Sequence, residues 1–229
     1  MSGLHIDRPT ELPGAVRARI DRPERRNALT YETVHRLHEL LEDDRHSVVL
    51  LGSTTPGIFS AGADLDTDDE TRTRLSDLLY ACYERLVTRP GIVIAVIDGA
   101  AVGGGSQLCA AADLRIASER ARWRWVGPGH GLAVGSWILP DLIGRSYALD
   151  LTLTGRWLGA DEAVRAGFVG QLADDPWERA SELVHAFGSA DPDALARVKQ
   201  VATRPHLLDA LTTERTRNRE AWSGHAPRA

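Results

Sequence analysis

The 229-residue sequence predicts an α/β core followed by a helical C-terminal region. Two observations carry that prediction. Between residues 15 and 118, short apolar strands alternate with amphipathic helices. This is the pattern of parallel strands joined by right-handed crossovers, with helices on the faces. From about residue 176 onward the pattern is helical throughout.

The elements follow in order. "AVRARI" (15–20) alternates apolar and polar residues and predicts a strand. "DRPERRNALT" (21–30) is a polar turn. "YETVHRLHELLEDD" (31–44) sets Val34, Leu37, Leu40 and Leu41 at helical spacing. "SVVLLGS" (47–53) is a short apolar strand ended by "TTPG", and a small-residue loop that turns acidic follows. "RLSDLLYACYERLV" (74–87) predicts a helix, "GIVIAVIDG" (91–99) a buried strand, residues 104–112 a helix after a glycine loop, and "LRIAS" (114–118) a strand. Beyond residue 119 a glycine-rich stretch gives way to a helical one. "GADEAVRAGFVGQL" then predicts helix, turn and strand, with Gly167 as the helix stop.

Composition narrows the function. Hydrophobic residues make up 43% and charged residues 26%, with a net charge of −5, as in an ordinary soluble domain. The acidic balance argues against nucleic-acid or anionic-membrane binding, though not against a small anion held by a local arginine group. Lys199 is the only lysine. Cys82 and Cys109 have no metal-type spacing and are expected as free thiols in a reducing, cytoplasmic compartment. No apolar run is long enough to span a bilayer or to form a signal core. His35 and His38 lack a third ligand, so no metal is expected.

Two loops point to chemistry. "GAAVGGG" (99–105) follows a buried strand and opens a helix, but lacks the Gly-Lys-Ser/Thr of a phosphate loop. It serves either close packing or the presentation of helix-start N–H groups to a negative charge. "FSAGADL" (59–65) is a second small-residue loop after an apolar strand. From successive crossovers, the two loops could face one pocket and supply two converging N–H donors, an oxyanion hole.

"RPERRNALT", "FSAGADL", "DGAAVGGGSQLCAAADLRIAS" and "LTGRWLGADEAVRAGFVGQL", in this order over roughly residues 10 to 172, resemble the crotonase superfamily, the enoyl-CoA hydratase/isomerase family. The resemblance implies a spiral of ββα units with a C-terminal helical trimerisation region. It divides the chain into a core of residues 1–175 and a helical region, 176–229, that is short for the family. It implies an acyl-CoA substrate, so coenzyme A enters with the substrate and no prosthetic group is needed. A homotrimer or hexamer is implied as well.

By position, the oxyanion donors would be the Ala63 and Gly104 N–H groups. Backbone at Arg26, Asn27 and Ala28, with Ala61, Asp64 and Leu65, would hold pantetheine and adenine. Arg22, Arg25 and Arg26 would either meet the CoA phosphates, which suit guanidinium, or form a solvated turn. Asp113 is structural in this family.

The departures matter most. A hydratase of this family uses two glutamates, and the corresponding positions here are Gln107 and Gly127, with Pro128, Gly129 and His130 beside the second. A further position used by some isomerases is Gly135. Glutamine orients by hydrogen bonds but takes no proton near neutral pH, and glycine does neither. Efficient ordinary hydration is therefore not expected, because general acid–base help is worth about 10²–10⁴-fold.

His130 is the best ionisable replacement, against the alternative of an exposed loop histidine. Asp66, Asp68 and Asp69 stand either at the pocket mouth or as an acidic helix start. Trp123, Trp125 and Trp137 either fill the core or form a flat apolar wall for a bulky or aromatic acyl group. The chain ends at "SGHAPRA", short of the further helix of relatives, so an altered trimer lid is one expectation.

Two functions remain open. One is an atypical lyase- or isomerase-type enzyme that polarises a thioester in an oxyanion hole. The other is a non-catalytic acyl-CoA binder or carrier, or an accessory subunit of a biosynthetic enzyme.

Overall fold

The alternation of Ala15–Ile20 buries Ala18 and Ile20 on one side of a strand while Arg17 and Arg19 pair with Asp7 on the other. In the computed structural model, which describes residues 3–223, this strand (β2) runs antiparallel to β1 (Leu4–Asp7), with Leu4 opposite Ile20.

Helix α1 (Tyr31–Asp43) begins where the Thr30 side chain accepts from the Thr33 N–H. After it come β3 (Val48–Ser53), β4 (Gly57–Ser60) and α2 (Asp69–Thr88). Helix α2 starts five residues ahead of its apolar pattern because Asp68 caps it, accepting from the Thr71 N–H at 2.8 Å. The next unit is β5 (Val93–Ile97), β6 (Gly99–Val102) and α3 (Gly104–Ala111). A third begins with β7 (Leu114–Ala117) and β8 (Arg122–Arg124). It continues through α4 (Leu139–Ile143), α5 (Arg145–Thr154), β9 (Leu158–Gly159), α6 (Ala160–Arg165) and β10 (Gln171–Leu172). Helices α7 (Pro176–Phe187), α8 (Pro192–Ala202) and α9 (Pro205–Ser223) follow.

The strands form two sheets. The larger has the order β1-β2-β3-β5-β7-β10, parallel from β2 onward, and the smaller β4-β6-β8-β9. From β3 to α4 each turn of the chain lays one strand in the larger sheet, one in the smaller and then a helix, as the resemblance implies, whereas β1 and β2 both lie in the larger sheet. The second sheet is the difference from the sequence expectation. Residues read as loop at 57–60 and 99–102 are short strands, paired in parallel.

The core lies between the sheets and α1 to α3. Trp123 and Trp125 are buried there, each edge-on to Phe168 at 5.2 and 5.6 Å. Helix α7 covers the outer face of the larger sheet, packing Ala180 and Val184 against Leu50, Ile94 and Val96. Helix α8 is tied down by Lys199, whose ammonium donates to the Leu86 and Gly91 carbonyls and to Asp113. Both cysteines are free and buried, and burial pushes the Cys109 thiol up to about 12. Among the described residues no helix is long and apolar enough to cross a membrane. The terminal "GHAPRA" lies outside the described residues, and the expectation of an altered lid with it.

Candidate active site

The two small-residue loops meet, as their place after successive strands requires. A Cβ placed on Gly62 would sit 2.8 Å from the Val102 oxygen and 3.5 Å from the Gly104 nitrogen, so only glycine allows this approach. Leu29 clamps the first loop from behind. Its N–H bonds to Gly62 O and its carbonyl takes the Asp64 N–H, both at 2.8 Å. That parallel bridge leaves the Ala63 N–H facing the other way, towards the cleft that Ala63 lines. Gly104 is the first residue of α3, where the N–H has no intrahelical acceptor and the helix dipole is positive. Gly62, Ala63 and Gly104 therefore border one cleft of about 680 Å³.

Gln107, one turn into α3, also lines this cleft and is 3% exposed. Its Oε1 is committed, accepting from Trp137 Nε1 at 2.7 Å and from the Gly135 N–H at 3.1 Å. What the glutamine keeps for a ligand is its NH₂, a donor. Trp137 thus orients Gln107 and stacks on Tyr83. Of the two readings of the tryptophans, core filling is the one the structure has. Trp123 and Trp125 are core residues, Trp137 stands behind Gln107, and the cleft's aromatic lining is Tyr80 and Tyr83.

Position 127 is glycine for a packing reason. A Cβ there would lie 2.5 Å from Leu132 O and 2.8 Å from Val134 N. Gly135, at φ +86°, would strike the Trp125 ring at 2.5 Å. Neither position admits a carboxylate without moving backbone or core. His130 ends a 3₁₀ turn over 128–130 and stands exposed on the rim.

One carboxylate does reach this region, from an element far along the chain. Glu214 of α9 is 4% exposed. It accepts from Tyr80 OH at 2.7 Å, from the Gly135 N–H at 3.1 Å and from the Trp137 N–H at 3.0 Å. Burial pushes its pKa up, partly offset by these donors. Asn218, one turn on, donates to Tyr80 OH at 2.8 Å and exchanges two bonds with the Ala133 backbone. The signal was present in the sequence. Leu207, Leu211, Glu214 and Asn218 are the buried stripe of α9, and two polar residues on an apolar stripe need partners.

Glu214 also changes what Gln107→Glu would do, since Gln107 and Glu214 share the Gly135 N–H. The new carboxylate would titrate together with Glu214, and the second ionisation would be raised. A folded-state pKa above the unfolded value stabilises at low pH and is lost as pH rises. Urea unfolding of Gln107→Glu should show a deficit against the parent that grows from pH 5 to pH 8, at about 1.4 kcal/mol per unit of raised pKa.

The other expected binding residues divide. Ala61, Asp64 and Leu65 line the cleft. Arg25, Arg26, Asn27 and Ala28 lie outside its lining, behind Ala61, whose N–H bonds to Arg26 O. Arg26 and Asn27 have positive φ, and buried Asn27 latches the loop. Its side chain takes the Arg22 N–H and donates to Ser53 Oγ, and its carbonyl takes Ser60 OH. Arg22 is occupied by Asp64 at 3.0 Å and by Ala28 O, and Arg25 by Asp66 at 2.7 Å. Burial raises the Asp64 pKa, but the Arg22 bond and charge bring it below the usual value. Asp68 is the cap of α2, and Asp69 lines the cleft while bonding to Arg72. His35 and His38 approach Glu39 and Glu42 on their own helix, and among the described residues no group of side chains could hold a metal.

The enoyl-CoA hydratase/isomerase family model matches residues 13–225. A probable mitochondrial enoyl-CoA hydratase of Arabidopsis thaliana is 33% identical over 82% of this chain and 66% of its own length. An enoyl-CoA isomerase/hydratase of Penicillium crustosum is 32% identical over 84% of this chain. The chain spans only 22% of that fungal protein and just under two thirds of the plant one. The crystal structure of an enoyl-CoA hydratase of Bacillus anthracis superposes with a TM-score of 0.79 at 28% identity, covering 97% of this chain and 90% of that one.

Proposed function

Because the chain belongs to the enoyl-CoA hydratase/isomerase family, we propose that it binds an acyl-CoA thioester and polarises its carbonyl between the Ala63 and Gly104 N–H groups. The observation that carries this reading is the meeting of Gly62–Ala63 with the first residue of α3 across one cleft. Donors fixed before the reaction stabilise an oxyanion strongly, because the site reorganises little as charge develops. The product of that polarisation is a thioester enolate. Gln107 supports it as a donor through its NH₂, beside an apolar wall formed by Leu75, Leu79, Tyr80 and Tyr83 that suits a medium or aromatic acyl group.

The reading excludes efficient ordinary hydration. The Gln107 oxygen is held by Trp137 and Gly135, and Gly127 has no space for a side chain. His130 on the rim remains an ionisable candidate in this reading. Assembly of copies through the helical C-terminal region, as a trimer in a reducing cytoplasm, completes it. Val198 and Val201 of α8 are 69% and 85% exposed in the single chain, which supports a covering partner.

The test is crotonyl-CoA turnover followed by loss of enoyl absorbance, beside calorimetric titration with butyryl-, octanoyl- and phenylacetyl-CoA. The expected result is hydration near background with measurable heat from at least one acyl-CoA. Hydration at the rate of an ordinary hydratase would overturn the acid–base part, and absence of heat with all three would overturn the binding part. Binding without any chemistry would favour the second reading, a carrier or accessory subunit, which the committed Gln107 oxygen supports.

A further inference from the structure

We infer that Tyr80 and Glu214 form the proton route of this site, with Tyr80 meeting the substrate and Glu214 accepting behind it. The inference rests on the acyl-CoA reading above and supplies the base that reading lacks.

Tyr80 stands on the cleft wall with Gln107 and Asn218. Its hydroxyl gives its proton to Glu214 Oε1 at 2.7 Å and takes one hydrogen bond from Asn218 Nδ2 at 2.8 Å. The phenol oxygen's second lone pair faces the Gln107 NH₂, so a substrate α-proton reaches that oxygen when the bound thioester draws the Gln107 NH₂ to itself. Glu214 is a buried carboxylate whose hydrogen-bond partners are neutral, namely Tyr80 OH and the Gly135 and Trp137 N–H groups. The neighbouring cation on its helix, Arg215, turns instead to Asp77 at 3.2 Å. Among the described residues no cation pairs with Glu214, and a buried carboxylate of that kind, one hydroxyl away from a ligand cleft, is costly as scaffolding and suited to taking a proton. Burial moves its pKa upward, towards the working range of a general base.

The step balances. The Cα–H bond of the bound thioester breaks, and its proton passes to the Tyr80 oxygen as the Tyr80 proton passes to Glu214. The electron pair moves onto the thioester oxygen, held by the Ala63 and Gly104 N–H groups. Tyr80 ends as it began, Glu214 ends neutral, and the reverse path returns a proton to carbon.

The experiment is α-proton exchange of butyryl-, octanoyl- and phenylacetyl-CoA in deuterium oxide, read by mass spectrometry, with affinities measured in parallel by calorimetry. The parent protein should exchange the α-protons of a ligand that it binds. Tyr80→Phe and Glu214→Gln should each slow exchange about 10²–10⁴-fold while affinity stays within about threefold. Phenylalanine keeps the Tyr80 ring, edge-on to Tyr83 at 5.6 Å, and glutamine keeps one of the two acceptor oxygens, of which Oε1 takes the Gly135 N–H and Oε2 the Trp137 N–H.

The pH profile separates proton transfer from packing. Facing Glu214 are the Tyr80 and Tyr83 phenols of α2, the Gln107 amide of α3 and backbone N–H groups of the 135–137 loop. The phenols titrate far above neutrality. An exchange rate that climbs with pH to a plateau in the parent, above the range of an ordinary carboxylate, and is flat in Glu214→Gln, is the expected signature. Exchange within about threefold of the parent in a folded Tyr80→Phe or Glu214→Gln overturns the route. So does a parent that binds but does not exchange, an outcome that leaves acyl-CoA binding standing. A parent that gives no heat with any ligand instead removes the reading beneath it. If Glu214→Gln fails to fold, Tyr80→Phe decides.

Discussion

Gly104→Pro is expected to slow thioester α-proton exchange at least about 10²–10³-fold, because the ring carbon that replaces the N–H deletes one proposed oxyanion donor and stands where the oxygen would sit. Gly104 is the first residue of α3, and proline is well tolerated there, since that N–H takes no part in the helix ladder. A Cβ at this position lies 3.3 Å from Leu79 Cδ1 and 3.3 Å from Tyr83 OH. Gly104→Ala adds the same Cβ but keeps the N–H, and is the control for the space the Cβ takes. Exchange should fall in the proline variant and remain in the alanine variant. Equal losses in both would mean that space, not the N–H, limits the site. Retention of exchange in the proline variant would remove Gly104 from the oxyanion pair.

Lys199→Met is expected to lower the unfolding free energy by about 3–5 kcal/mol, the range for breaking a buried ion pair from one side. The Lys199 side chain is 5% exposed, and its ammonium bonds to Asp113 at 2.8 Å and to the carbonyls of Leu86 and Gly91. Asp113 also fixes the start of β5 by accepting the Val93 N–H at 2.7 Å. Burial already pushes the Asp113 carboxyl up and the Lys199 ammonium down, so neither charge is cheap to leave alone.

Without the lysine the Asp113 pKa rises further above its unfolded value. Its contribution is then kept at low pH and lost as pH rises, so the deficit of Lys199→Met should be larger at pH 7 than at pH 4. Urea unfolding at both values checks this. The double variant with Asp113→Asn should recover part of the loss, since it removes the stranded charge. A deficit below about 1 kcal/mol at pH 7 would mean that water reaches the pair.

Most of the large-sheet strands and the helices were legible because their apolar period runs over five or more residues, as in Ala15–Ile20, Tyr31–Asp43 and Val93–Ile97. The second sheet was not. Its strands Gly57–Ser60, Gly99–Val102 and Arg122–Arg124 are three or four residues long, too short for a period to register, and exist because a parallel neighbour pairs with them. The two glycine loops, Gln107 and the missing side chain at Gly127 could be read directly. The tryptophans could not be placed, because a large aromatic residue suits a core and a ligand wall equally well.

Residue order alone, then, carries the resemblance to the crotonase fold, the two small-residue loops at strand ends, and the absence of glutamate at positions 107 and 127. Folding alone decides that Gln107 turns its oxygen inward to Trp137, and that Glu214 and Asn218 of the last helix close on Tyr80 across separations of 134 and 138 residues. Strand and helix patterns repeat over a few neighbours and are written locally. A buried polar contact depends on which distant surfaces pack together, and no local period encodes that.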